Sequence, residues 1–250
     1  MVWPADGSLP SPHGSCVTGE TDVVILDMHV HTAASDDSTA TIAGYIDLIR
    51  AYRQFHPVDG FVLTEHRTYT PGLELQRYWD EFGVLVLQGV EMDTNLGHLL
   101  VYGLTERVLE RFDVTKRMHD GRRIIAEVEQ LGAIAIPSHP FRESVFGNII
   151  ERDIREVAGV RILEGYNGQN SHKQNERAAA LCVQHGFREI GGSDAHYVDP
   201  NWFLTCATAF EDTITSSAAL VGALHDGEYR PIRLPAVDAA SLPVPKPVLR

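Results

Sequence analysis

Residues 23–31 read VVILDMHVH, and this stretch sets the frame for the rest of the chain. Six apolar residues surround Asp27, His29 and His31, and so short an apolar run predicts a buried strand. On a strand, residues two apart project to the same side, so the three polar residues would share a face. Two imidazoles one pleat apart can grip one metal ion, and Asp27 can orient one of them from behind.

Working outward, apolar runs alternate with helix-spaced segments. TIAGYIDLIRAYRQF (41–55) has apolar residues at helical spacing, GFVLTEH (60–66) reads as a second strand, and 73–82 as a short helix. VLVLQGVEM (84–92) and HLLVYGL (98–104) read as strands, followed by helical spacing over 118–131. AIAIPSHP (133–140), RILEGYNG (161–168) and EIGGSDAH (189–196) read as later strands, with ERAAALCVQHG (176–186) a helix closed by a glycine. Strand–helix alternation over most of the chain predicts an α/β protein with a parallel sheet and crossover helices, most economically a closed barrel. No internal repeat is visible.

The strand candidates end in metal-ligating residues. TEH supplies Glu65 and His66, GVEMDTNLGH supplies Glu91 and His98, PSHP supplies His139, and GGSDAH supplies Asp194 and His196. In a parallel barrel the strand C-termini converge on one face, so residues far apart in sequence would meet there. Burying several acids and imidazoles together is costly unless positive charge compensates them, and divalent cations would do so. Glu164 reads as the polar end of a strand rather than as a ligand. His13, His56, His119, His172, His185 and His225 read as surface or packing residues.

The 250 residues carry a formal net charge of -13, which argues against a protein that coats nucleic acid or lies on a membrane surface. Three widely spaced cysteines without a CxxC pair predict reduced thiols. No segment has the run of about 18–20 apolar residues that a membrane helix needs, and the opening MVWPADGSLPSPHGS lacks a signal peptide's basic start and apolar core. A cytoplasmic enzyme is expected, with a disordered or extended arm over 1–21, a catalytic unit over 22–229 and a Pro-rich tail over 230–250.

With these residues in place, the chain resembles the polymerase-and-histidinol-phosphatase (PHP) superfamily, through DMHVHTAASD, TEH, GVE…GH, SHP and GSDAH. The resemblance implies a distorted (β/α)7 barrel with a trinuclear metal centre at its strand C-termini. It implies a first metal on His29, His31, Glu91 and Asp194, with Glu91 bridging to a second completed by His98 and His139. A third would rest on Asp36, His66 and His196. The opening is most similar to that of small-phosphate hydrolases with an HTxxSD pattern. Two departures stand out: Glu65 occupies the place of an Asp in the second motif, and Asp37 follows Asp36 where the family has Gly. Only a helix-length segment separates Gly103 from Gly132, where a nucleotide-hydrolysing branch carries an extra domain.

The chemistry expected is hydrolysis of a small phosphorylated metabolite, monoester or diester, by a metal-bridging hydroxide. Mixed His and carboxylate ligation suits two or three Mn, Fe or Zn ions. Asp194 or His196 would move a proton to the leaving oxygen. Arg67 and Arg142 would bind phosphate at the rim, with Asn167 and Lys173 as further substrate contacts. Asp27 and Glu65 would stand behind the ligands. No membrane and no extended nucleic acid is expected as partner. Two other readings compete: a C–N hydrolase of amidohydrolase character, and a non-catalytic PHP module.

Overall fold

A computed structural model describes residues 23–143 and 158–237. The arm over 1–21 and the end of the tail, 238–250, lie outside the described residues.

The first strand is where the sequence puts it: β1 spans Val24–Val30, with every residue after Val24 buried. The helix α1 (Ile42–Tyr52) follows, started by Thr41, whose hydroxyl accepts the Gly44 N–H. Then come β2 (Gly60–Leu63), α2 (Gln76–Phe82), β3 (Leu85–Thr94) and β4 (Gly97–Tyr102). Two short helices, α3 (Glu106–Arg111) and α4 (Gly121–Glu127), lead to β5 (Ile134–Pro137). After β6 (Ile162–Asn167), α5 (His172–His185) opens on a reciprocal Ser171–Gln174 capping box. It closes at Gly186, whose φ of 69° suits only a residue without a Cβ constraint. The chain continues through β7 (Arg188–Gly192), β8 (Cys206–Phe210), α6 (Ser217–Asp226) and β9 (Tyr229–Arg233).

The sheet is mixed rather than wholly parallel. Seven strands hydrogen-bond in the order β5-β4-β3-β2-β1-β8-β9, and β6 pairs with β7. β1, β2 and β3 are mutually parallel, but β4 runs against both β3 and β5. The physical reason is the connection: only Asn95 and Leu96 separate β3 from β4, enough for a hairpin and far too short for a crossover. β8 and β9 are also antiparallel additions. The segment read as the start of a tail, Arg230–Arg233, is therefore the body of an edge strand. The β6–β7 pair packs against β5 on one side and β1 on the other, so the whole is a mixed α/β fold with a curled, half-barrel sheet.

Apolar packing fixes this arrangement from three sides. Leu26, Met28, Val62, Leu100, Ile136, Ile190 and Phe210 form one core; Tyr45, Ile49, Phe61 and Phe203 form a second under α1; Val90, Leu99, Ile124 and Leu163 form a third under α4 and α5. Each fully buried large side chain contributes about 1.5–3 kcal/mol. The end of β1 is also tied to the chain beyond β7: Asp194 N–H donates to His29 O at 2.7 Å and His31 N–H to Ala195 O at 2.9 Å. β1, β2, β3, β5, β6 and β7 thus deliver their C-terminal ends to one end of the molecule. β4, running the other way, delivers its first residues there.

Candidate metal centre

At that end the polar residues meet. His29 Nε2 lies 3.1 Å from Glu91 Oε2 and 3.4 Å from Asp194 Oδ1, and His31 Nε2 lies 3.3 Å from each. The two imidazole nitrogens are 3.0 Å apart. All four residues are buried. Four donor atoms with edges of this length surround a point about 2 Å from each, the length of a metal–imidazole or metal–carboxylate bond. A donor set of two imidazoles and two carboxylates matches a divalent transition metal, and the residues present fit the group the sequence implies.

The rest of the cluster grows from Glu91. His98 Nδ1 and His139 Nε2 approach its Oε1 at 3.0 and 3.1 Å, while His66 Nδ1 lies 3.4 Å from Oε2. Donor atoms of His66, Glu91 and His98 lie within 4.8 Å of one another, and so do those of His31, His66 and His196. His66 Nδ1 is buried without a hydrogen bond, an orphan polar atom of the kind a bound ion accounts for. Three residues here, Arg67, His139 and Asp194, have φ of 52°, 31° and 56°. Non-glycine residues in that region are strained, and such strain gathers at functional sites.

Charge balance within the protein is unusual. Burial alone would push the Asp194 and Glu91 carboxyls up. For Asp194, His29 and Arg142 outweigh it, and for Glu91, His98 and His29 do, so both are held well below the usual carboxylate range. Burial would lower His29, but Asp194, Glu91 and Glu164 raise it well above an ordinary imidazole. For His139, burial and Arg142 act together to lower it.

The structure brings together eight of the nine ligands implied by the resemblance. Asp36 is not among them: its side chain is 65% exposed and pairs with Arg67 at 2.7 Å. Its neighbour Asp37 takes that place, with Oδ2 3.4 Å from His66 Nε2 and 3.3 Å from His196 Nε2. Adjacent residues in this loop point in different directions, and a sequence register alone does not separate them.

Asp27 also plays a different part from the one expected. It accepts backbone N–H groups of Ser193, His29 and Leu204 rather than an imidazole, and burial pushes its carboxyl up to about 7. The residue behind His29 is Glu164, 2.9 Å from Nδ1. Glu65 does stand behind the site, accepting from the Thr32 and Ser35 hydroxyls, with Ser35 Oγ 3.3 Å from His31 Nδ1.

Among the expected substrate contacts, Arg142 donates to Asp194 at 2.5 Å and to Asn167 at 2.7 Å, so both reach the cluster. Arg67 lies between Asp36 and Asp93. Lys173 is exposed on α5, and no contact joins it to the cluster. Asp93 escaped the sequence reading, although it sits two residues from Glu91 on β3 and directly opposite His98. Glu164 lies within β6, three residues before its end at Asn167, and the sequence reading gave it no part in the cluster.

A family model described as PHP-associated matches residues 172–229, which run from α5 to β9. That match covers about a quarter of the chain and agrees with the resemblance carried by the sequence motifs. No curated protein matches it in sequence. Among solved structures, PsfC from Pseudomonas syringae PB-5123 is similar with a TM-score of 0.61 at 19% identity, over 88% of this chain and 93% of that one. The lesion-specific endonuclease Q from Pyrococcus furiosus gives 0.61 at 15% identity, over 84% of this chain but only 57% of its own. An amidohydrolase from Chromobacterium violaceum, with bound sulfate and no metal, gives 0.54 at 16% identity, over 69% and 87%. At such identities the likeness is one of fold.

Proposed function

We propose that this protein is a metal-dependent phosphoesterase of the PHP type, acting on a small phosphorylated metabolite, monoester or diester. The observation that carries the reading is the convergence of His29, His31, Glu91 and Asp194 on one point, with a second and third group of donors beside it. In this reading the catalytic unit runs from about residue 22 through the end of β9 at Arg233. The curled sheet and the β6–β7 pair would make up a distorted (β/α)7 barrel, whose strand ends would hold two or three Mn, Fe or Zn ions. Bound there, such ions supply Lewis acidity and acidify a water molecule near neutral pH.

The chain's own groups do the remainder. Glu164 keeps the proton of His29 on Nδ1, which leaves Nε2 free to act as a donor. Arg142, charged and anchored by Asp194 and Asn167, presents a guanidinium to the phosphoryl oxygens as negative charge grows on them. His196, 16% exposed and the most open imidazole of the cluster, sits where it can pass a proton to the leaving oxygen, with Asp194 beside it at 3.7 Å.

Two neighbours suggest other substrates: the endonuclease Q structure with a 27-mer duplex carrying an abasic lesion, and the protein named an amidohydrolase. No lysine lies in any of the nine described strands, and Glu91, shared by two of the donor groups, stands where a bridging ligand would be wanted, which supports phosphorus over carbon chemistry. A non-catalytic module would not be expected to keep so full a donor set. The test is release of phosphate and alcohol by the Mn-reconstituted protein across phosphomonoesters, phosphodiesters, an abasic DNA duplex and N-acyl amides. Turnover of a small phosphate ester that a chelator abolishes supports the proposal. Cleavage of the duplex or the amide alone, or no turnover with metal bound, contradicts it.

A further inference from the structure

Asp36, left over from the ligand cluster, is engaged by two guanidinium groups. Arg67 Nη2 lies 2.7 Å and Arg117 Nη2 3.5 Å from its Oδ2. The same two side chains turn their Nη1 atoms to Asp93 Oδ2, at 3.1 and 3.9 Å. The two arginines therefore straddle one exposed carboxylate and one fully buried one. Asp93 in turn stands 3.5 Å from His98 Nε2, so the pair is one carboxylate away from the metal ligands.

The two carboxylates differ in what they can do. Asp93 is 0% exposed, opposite His98 in the hairpin, and has no room to leave. Asp36 is 65% exposed and lies in the loop between β1 and α1. Arg67 is aimed by its left-handed backbone immediately after His66. Arg117 is 62% exposed, on a loop tied to β3 by the His119 N–H to Asp93 O at 2.8 Å and the Asn95 N–H to His119 O at 2.9 Å. Exposed ion pairs are weak, whereas a phosphate or carboxylate offers two acceptors to each planar fork. An incoming oxyanion can replace Asp36 but not Asp93.

We propose that Arg67 and Arg117 form a subsite for a second anionic group of the substrate, and that Asp36 fills it until that group arrives. The substrate class is then a phosphate ester bearing a further phosphate or carboxylate. The identity of the ester phosphate rests on the phosphoesterase reading; the anion subsite itself does not need turnover.

Sulfate, which binds guanidinium groups and competes poorly for divalent metals, is the probe. It is titrated by calorimetry into the full chain, metal-loaded and chelator-treated. Asp36→Asn should tighten sulfate about fivefold in both forms, Arg117→Ala should weaken it, and the gain should vanish in the double variant. Both substitutions are at exposed side chains and should leave the fold intact. An unchanged affinity in D36N, or a gain that persists without Arg117, overturns the subsite. Failure of the phosphoesterase reading would look different: these sulfate shifts present, with no phosphate ester turned over.

Discussion

Glu164 Oε1 lies 2.9 Å from His29 Nδ1, across 135 residues of chain and with both side chains fully buried. Its other oxygen accepts the His139 N–H at 2.7 Å and the Asn167 side-chain amide at 2.9 Å. One carboxylate thus holds the ring of His29 and the backbone of His139, and joins both to Arg142 through Asn167.

Replacing Glu164 by Gln keeps the size and removes the charge that holds the proton on Nδ1. Metal affinity should fall about 10–100-fold, read by competition with a fluorescent chelator, while circular dichroism stays native. Unchanged affinity would mean that Glu164 does not orient His29.

The neighbouring acids Asp36 and Asp37 are separated by a second substitution pair. Asp37→Asn removes the carboxylate between His66 and His196, and the protein should bind fewer equivalents of metal by mass spectrometry. Asp36→Asn should keep the full complement, since Asp36 faces the arginines. The reverse pattern would return Asp36 to the ligand set.

This pair also shows where sequence is legible. The alternation of β1 and the polar ends of the strands picked out eight residues that the fold brings together, because burial forces charged residues in apolar runs to have partners. The resemblance placed them in order. What escaped depends on geometry that spacing does not encode. The direction of two side chains in one loop decides between Asp36 and Asp37. The brevity of the Asn95–Leu96 connection decides that β4 runs backward. β8 and β9 went unread because Cys206–Phe210 and Tyr229–Arg233 end in no ligand and carry no motif.

Gly192 couples fold to site in a further way. A Cβ there would sit 2.6 Å from the backbone N of His29 and 2.5 Å from its Cβ. Gly192→Ala must part β7 from β1, at a cost on the order of 1–3 kcal/mol, seen as a lower urea midpoint. Because His29 itself is displaced, metal affinity should fall with it. A stable protein with native metal affinity would show that this close approach is not what seats His29.

The most direct test of the central claim is a crystal structure of metal-reconstituted protein with anomalous data at the absorption edge of the added ion. An anomalous peak is expected within the donors of His29, His31, Glu91 and Asp194, with a further peak among the donors grouped around Glu91. Full reconstitution with no peak at these residues, or with the ion held elsewhere, would contradict it.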